Sequence, residues 1–176
     1  MTAFPCPIPV VETERVILRA PRDADLPAYA AYFATPRAEF TGGQRDEVDT
    51  YRMLMNMAGH WHMRGYGLWV IEDRATGATA GWTGILHHLD WPEPELGWTV
   101  FDGFEGKGLA HDAAKAARAF AAADLGLPAP ISLIDPRNAR SEALATRLGA
   151  TVERPFELHD TAVNIWRHPD VREVAA

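Results

Sequence analysis

The pattern of apolar and polar residues in the first third of the chain predicts one strand and two helices. Residues 14–19 are rich in β-branched and other apolar side chains and predict the first strand. Asp23 is placed as the N-cap of a helix whose apolar residues recur at helical spacing until the helix stops near Pro36. A second helix is predicted over residues 47–64 and ends at Gly65.

The rest of the chain alternates between strand-like and helix-like patterns. Its predicted elements are strands 68–72, 79–88, 95–101 and 131–134, helices 111–125 and 139–148, and a final hairpin over 151–167. The resulting order is β-α-α-β-β-β-α-β-α-β, with room for an extra C-terminal strand. The later βαβα stretch implies parallel strands, whereas the meander before it is antiparallel. The chain is therefore predicted to be one mixed α/β (α+β) domain over residues 1–176.

Composition supports an ordinary globular domain and excludes several classes of protein. Apolar residues make up 47% of the 176 residues and charged residues 23%. The formal charge of −7 argues against binding to nucleic acid through phosphate contacts. No apolar run approaches the ~20 residues that a membrane-spanning helix needs, and the start does not resemble a secretory signal. A cytoplasmic protein without a membrane partner is expected.

The N-terminal segment and the single cysteine carry little chemistry. Residues 1–12 are proline-rich at the start and are expected to be mobile. Cys6 is the only cysteine, so an internal disulfide and a cysteine-based zinc site are excluded. No metal is expected.

A glycine-rich turn, Glu105-Gly106-Lys107-Gly108-Leu109-Ala110, lies between a predicted strand and a predicted helix. The first amide groups of a helix lack partners within the helix, and glycines let a phosphate approach them closely. A Walker loop needs Ser or Thr after the lysine, where Gly108 stands, and a dinucleotide fingerprint needs glycine at His111. The turn indicates an anion site. A plain strand-to-helix turn, or a site for another anionic nucleotide, stays open at this point.

The spacing Glu105-x-x-Gly108-x-Ala110 resembles the acetyl-CoA signature of the GNAT acetyltransferases, Arg/Gln-x-x-Gly-x-Gly/Ala. Further segments resemble the RimJ/RimL-type branch of that family and follow in the family's order; they are Thr13 to Pro21, Glu95 to Val100, Asn138 to Ser141 and Arg147 to Ala150. The resemblance implies a mostly antiparallel central sheet flanked by helices. It also implies an acetyl-CoA-dependent N-acetyltransferase acting on a primary amine, either a small molecule or a protein or peptide N-terminus. Homodimers are common in this branch.

The resemblance also implies which residues bind the coenzyme. The strand through Trp98, Thr99 and Val100 would pair its backbone with the pantetheine arm, and Asn138 would bond the same arm. The pyrophosphate would lie on the backbone amides of the turn, and the side chain of Lys107 would add positive charge. The residues that supply these amides are Gly106, Lys107, Gly108, Leu109 and Ala110. Lys115 and Arg118 could reach the outer phosphates.

Two departures from the family pattern bear on activity. Glu105 stands where Arg or Gln is usual, so its carboxylate is expected to turn outward from the pyrophosphate. Many relatives carry a tyrosine acid in the later helix, where Ala145 aligns. Both departures leave open a catalytically silent sensor that binds acyl-CoA without transferring the acyl group.

Direct acylation of an amine needs a base, a polarised thioester carbonyl and a proton for the leaving thiolate. Glu95, at the start of the strand beside the thioester, is the leading base. His87 and His88 are its rivals, and alternation along a strand allows at most one of them to face the cleft. An amide of the 98–100 strand would polarise the carbonyl, and Ser141 would protonate the thiolate.

The acceptor side is predicted from the loop before Glu95. Asp90, Glu93 and Glu95 form an acidic cluster that could attract a cationic acceptor. Trp91 lies in the same loop and is a candidate wall of the acceptor site. Gly97 is expected to form a bulge that opens a V-shaped gap for pantetheine.

Overall fold

The computed structural model describes residues 8–171, and it confirms the predicted mixed α/β fold. The strands are β1 (Val11–Glu12), β2 (Val16–Arg19), β3 (Leu68–Asp73), β4 (Thr79–Leu86), β5 (Glu95–Val100), β6 (Ile131–Ile134), β7 (Thr151–Leu158) and β8 (Thr161–Arg167). The helices are α1 (Leu26–Phe33), α2 (Glu47–Arg64), α3 (Leu109–Asp124) and α4 (Ala139–Arg147). The C-terminal hairpin is present as β7 and β8.

All eight strands form one sheet in the order β1-β2-β3-β4-β5-β6-β8-β7. Neighbouring strands are antiparallel except β5 and β6, which are parallel. Side chains alternate between the two faces of the sheet: Trp69 and Ile71 pack with α3, whereas Leu68 and Val70 pack with α1 and α2. The helices therefore cover both faces of the sheet. Among the described residues, no helix is long and apolar enough to cross a membrane.

The start of the described chain differs from the expectation of a mobile segment over residues 1–12. Val11 and Glu12 pair with β2, and Ile8 packs against the main apolar cluster. Trp69 Nε1 donates to the carbonyl of Pro9 at 2.8 Å. Residues 1–7, including Cys6, lie outside the described part of the chain.

The start of α1 also differs from the prediction. A 3₁₀ turn over Asp23–Asp25 precedes the helix, so Asp23 is not the N-cap. Asp25 is the residue that closes this turn, because its Oδ2 accepts from the amide of Arg22 at 2.8 Å. The same carboxylate forms a bidentate pair with Arg19, with Nη–Oδ distances of 2.7 and 2.9 Å.

We expect Asp25→Ala to lower the free energy of unfolding by about 2–3 kcal/mol. Arg19 and Asp25 are 6% and 1% exposed, so removing the carboxylate leaves a buried guanidinium with Glu72 as its remaining acidic partner. Chemical denaturation followed by circular dichroism measures this change. Asp23→Ala is the matched control, because Asp23 is exposed, and its effect should stay below about 0.5 kcal/mol. Equal effects of the two variants would contradict the assignment.

The parallel strands β5 and β6 are joined at one end only. They pair at Glu95 and Ile131, where the amide of Ile131 donates to the carbonyl of Pro94 at 3.3 Å, and then separate. The predicted V-shaped gap is therefore present. The predicted bulge at Gly97 is wrong, because β4 and β5 keep one register without a shift from Gly81↔Val100 to Leu86↔Glu95.

Candidate active site

Two side chains bond the backbone where the ladder between β5 and β6 would continue. In a continued parallel ladder, the amide of Leu133 would donate to the carbonyl of Leu96. Ser132 Oγ instead donates to that carbonyl at 2.6 Å. The amide of Leu133 donates to Glu95 Oε1 at 3.0 Å. The Glu95 carboxylate thus lies between the two strands at the point where they separate.

Glu95 has the properties of a base that works near neutral pH. Burial raises its pKa to about 7, against the opposing effect of hydrogen bonds from Trp91 and Leu133. The Trp91 indole donates to Glu95 Oε2 at 2.5 Å. The carboxyl group also lines a cavity of about 900 Å³ that extends over β4 and β5. A carboxylate in this state can accept a proton from a group in the cavity.

The backbone of β5 presents two amides to the gap between β5 and β6. The amide of Phe101 donates to the carbonyl of Ala80 at 2.8 Å, which sets the alternation along β5. Odd-numbered residues of β5 direct their backbone groups to β4, so Trp98 and Val100 direct theirs to the side of β6. The Thr99 hydroxyl bonds the carbonyl of Trp98 at 2.8 Å. The carbonyl of Val100 accepts from Arg37 Nη2 at 3.3 Å, so it is the amides of Trp98 and Val100, rather than that of Thr99, that face a ligand in the gap.

The glycine-rich turn has the form expected of an anion site. Gly106 and Gly108 have φ values of 73° and 79°, a conformation that other residues rarely adopt. Helix α3 begins at Leu109, and no side chain of its N-cap, Gly108, covers the first amides. An added Cβ at Gly106 would meet no atom within 4 Å, whereas one at Gly108 would lie 3.2 Å from Arg15 Nη1. Lys107 is exposed beside it.

Glu105 does not leave an unpaired negative charge at this turn. Its carboxylate forms an ion pair with Arg37, which also pairs with Asp102. Glu105 Oε2 accepts from the amide of Gly103 at 2.9 Å. The Glu105 carboxylate thus shares the Arg37 guanidinium with Asp102, lies 3.8 Å from Arg140 Nη1, and bonds the loop before the turn. Arg37 is a contributor that sequence reasoning missed, because it lies far away in the chain.

Helix α4 carries the remaining coenzyme candidates. Asn138 is its N-cap, and Asn138 Oδ1 accepts from the amide of Ser141 at 3.2 Å. Ser141 lines the cavity. Ala145 is fully buried with Ile134 and Trp166, so this position offers no side chain to the cavity.

Comparison with known proteins decides the family. The sequence model of the acetyltransferase (GNAT) domain matches residues 15–151. The chain belongs to the GNAT acetyltransferase family. An acetyltransferase from Agrobacterium tumefaciens is 36% identical, with a TM-score of 0.84 over 92% of this chain and 95% of that one. A GnaT-family acetyltransferase from Bordetella pertussis is 25% identical, with a TM-score of 0.75 over 92% of this chain and 99% of that one.

A third solved structure shows the same fold with a ligand. It is the RimL ribosomal L7/L12 α-N-protein acetyltransferase in complex with coenzyme A, which is 17% identical. Its TM-score is 0.73, over 91% of this chain and 97% of that one. As a member of the GNAT family, the present chain is an acetyltransferase that uses acetyl-CoA as donor. In residues 8–171, no group of three or more His, Cys, Asp or Glu side chains is placed to bind a metal ion.

The two histidines proposed as rival bases occupy different places in this GNAT domain. His88 lines the cavity, with its ring 4.7 Å from that of Trp91. His87 contributes its backbone amide, which lies 3.3 Å from His60 Nε2. His88 is therefore the better placed of the two, although Glu95 alone holds the position between the strands.

The acidic cluster predicted to attract a cationic acceptor is not free to do so. Glu93 forms a bidentate pair with Arg167, with both Nη–Oε distances at 2.7 Å. Asp90 lies 2.8 Å from His159 Nε2. Glu95 is thus the one member of the predicted cluster that lines the cavity.

The two cations proposed for the outer phosphates also differ. Lys115 is exposed on α3. Arg118 is 9% exposed and donates to the carbonyl of Leu148 at 2.7 Å, so it does not reach the surface where phosphates would lie. The sequence contained a signal for this burial, since Ala114, Arg118 and Ala121 recur at helical spacing on one face of α3.

Proposed function

We propose that this protein transfers the acetyl group of acetyl-CoA directly to a primary amine bound in the cavity, with Glu95 as the general base. One observation carries the proposal: the carboxyl group with a pKa of about 7 lies at the gap between β5 and β6, where family members admit the pantetheine arm. The amides from Gly106 to Ala110 would hold the pyrophosphate, with Lys107 adding charge. Asn138 would bond the pantetheine arm.

The residues around the gap supply each proton and charge that the transfer needs. Glu95 accepts a proton from the amine as the new C–N bond forms. The amide of Trp98, which faces the gap, stabilises the negative charge that develops on the carbonyl oxygen. Ser141 gives a proton to the departing thiolate as the C–S bond breaks, and solvent restores it. No covalent enzyme intermediate is required.

The cavity favours an amine with an apolar body. Its apolar lining includes Met53, Met57, Leu86, Trp91, Leu133 and Leu158. Its acids Glu39 and Asp135 both pair with Arg137, with N–O distances of 2.8 and 2.7 Å, and Arg45 adds a further cation. A polycation would find few unpaired carboxylates here. We therefore propose a monoamine or an apolar peptide N-terminus as acceptor. A protein N-terminus is also the acceptor named for the RimL α-N-protein acetyltransferase of the same fold.

An amine panel tests this function. We expect thiol release from acetyl-CoA with aromatic or aliphatic monoamines, or with peptides that begin with an apolar residue. Their kcat/KM should exceed that of polyamines and aminoglycosides by about tenfold or more, since each unpaired charge in an apolar site costs binding free energy. Equal or faster reaction with the polycations would contradict the acceptor assignment.

A further inference from the structure

A buried chain of hydrogen bonds runs from α3 to the gap between β5 and β6. Arg118 Nη1 lies 3.4 Å from His168 Nδ1, and His168 Nε2 lies 2.9 Å from Ser132 Oγ. Ser132 Oγ lies 2.6 Å from the carbonyl of Leu96. All three residues are buried: Arg118 is 9% exposed, His168 is 1% exposed and Ser132 is 2% exposed. None of them belongs to the glycine-rich turn of residues 105–110.

The direction of every bond in this chain is fixed. A guanidinium can only donate, so Nδ1 of His168 accepts. Burial, together with the nearby Arg118 and Arg167, lowers the pKa of His168 to about 3, so the ring is neutral and carries its proton on Nε2. Nε2 therefore donates to Ser132, and the Ser132 hydroxyl has its own proton left for the carbonyl of Leu96.

That last bond competes with the sheet. The carbonyl of Leu96 is the group to which the amide of Leu133 would donate if the parallel ladder continued. Ser132 bonds this carbonyl at 2.6 Å, and the amide of Leu133 donates to the Glu95 carboxylate at 3.0 Å instead of completing the ladder. The Ser132 hydroxyl and the Glu95 carboxylate thus take the two backbone groups that a continued ladder would pair with each other.

We infer that Ser132 and His168 are positioning residues, which hold the Leu96 carbonyl out of the ladder and so leave the Leu133 amide to orient the Glu95 carboxylate. This inference rests on the proposed function, because it takes Glu95 as the base. It adds a cause for the gap that lies in side chains and not in a bulge. It also gives a role to the buried, neutral His168, which bonds Ser132 of β6.

Other titratable and charged groups line the same cavity and must be separated from Glu95 in any pH profile. They are His60 from α2, Glu39 and Arg45 from the segment before it, His88 from the loop after β4, Asp135 and Arg137 from the loop after β6, and His159 from the hairpin. The hydrogen-bond partners of the Glu95 carboxylate are Trp91 and Leu133. A comparison with Glu95→Gln therefore assigns the part of the profile that belongs to Glu95.

Ser132→Ala tests the inference, with Ser132→Thr as the variant that keeps the hydroxyl. In Ser132→Ala the Leu133 amide is expected to turn to the Leu96 carbonyl. The acid limb of kcat/KM should then move up by about one pH unit, because the charged carboxylate loses a donor. The Kd for acetyl-CoA should rise about tenfold as the gap narrows. Ser132→Thr should stay within about twofold of the parent in both properties.

A purely structural role for Ser132 predicts a lower Tm with an unchanged acid limb and an unchanged Kd, and this result in a folded Ser132→Ala protein would overturn the inference. A second measurement does not depend on activity or on that variant folding. In the parent, the NMR resonance of the Leu133 amide should titrate with a midpoint of about 7, and Glu95→Gln should abolish this titration. Absence of the titration would also overturn the inference. Failure of the proposed function alone would appear differently, as a parent that titrates at Leu133 and acetylates no amine.

Discussion

Glu95→Gln is expected to lower kcat about 100- to 1,000-fold while leaving the Kd for acetyl-CoA within about threefold of the parent. Glutamine keeps the shape of the side chain and an oxygen for the Leu133 amide, but it cannot accept a proton from the amine. The Trp98 and Val100 backbone and the glycine-rich turn are unchanged. Steady-state kinetics and calorimetry measure the two effects separately.

The role of Glu95 as base also predicts the direction in which kcat/KM changes with pH. The base must be unprotonated, so the parent kcat/KM should rise with pH through about 7 and then level off. In Glu95→Gln this rise should disappear. Stability should respond in the opposite direction: the folded pKa of about 7 lies above the ordinary 4.5, so ionisation costs the folded parent stability as pH rises from 4.5 to 7. The variant, which has no carboxyl group to ionise here, should lack this loss of stability between pH 4.5 and 7.

Glu157→Gln is the matched control, because Glu157 is an exposed carboxylate on β7. Its kcat should stay within about twofold of the parent. If Glu95→Gln kept a parental kcat and a parental acid limb, the base would lie elsewhere, and His88 would be the next residue to change.

The second large effect is expected at the glycine-rich turn, where Gly108→Trp should weaken acetyl-CoA binding by about 100-fold or more. A side chain at this position would meet the Arg15 guanidinium, 3.2 Å from an added Cβ, and an indole would crowd the amides that begin α3. Each lost bond to a charged phosphate costs about 1.5–3 kcal/mol. Isothermal titration calorimetry with acetyl-CoA measures the loss directly. A parental Kd in the variant would place the coenzyme away from this turn.

Backbone strain is the main confounding effect, and the chain contains a control for it. Gly108 has a φ of 79°, and Gly77 in the turn between β3 and β4 has a φ of 71°. Gly77→Trp therefore carries a similar strain of about 1–2 kcal/mol without blocking the glycine-rich turn. Gly77→Trp should keep the parental Kd and lower the Tm by no more than Gly108→Trp does, since an added Cβ at Gly77 meets no atom within 4 Å.

The sequence was sufficient for the order of the elements after β1 and for the conformation of the glycine-rich turn, since both depend on local patterns. Periodicity places the strands and helices, and the glycines of the turn require positive φ values that the structure shows. Glu95 could also be selected, because it begins a strand at a recognisable place. The limits of the predicted strands were less accurate: β4 ends at Leu86, so His87 and His88 lie in the following loop.

The errors concern contacts between residues that are distant in the chain. Gly97 was expected to open the strand as a bulge, because glycine in a strand often marks one. The strands instead separate where Ser132 bonds the Leu96 carbonyl and the Glu95 carboxylate bonds the Leu133 amide, two contacts that no local pattern reveals. The ion pair of Glu105 with Arg37 was invisible for the same reason. A family motif gave the position of Glu105 but not the cation that pairs with it.

A product balance tests the central claim most directly: purified protein is incubated with acetyl-CoA and the best monoamine or peptide of the panel, and both products are quantified. Direct transfer predicts one N-acetylated amine for each coenzyme A released, with no acetyl group left on the protein by mass spectrometry. Binding of acetyl-CoA without thiol release above the rate in buffer, for every amine tested, would contradict the account and identify a silent acyl-CoA sensor.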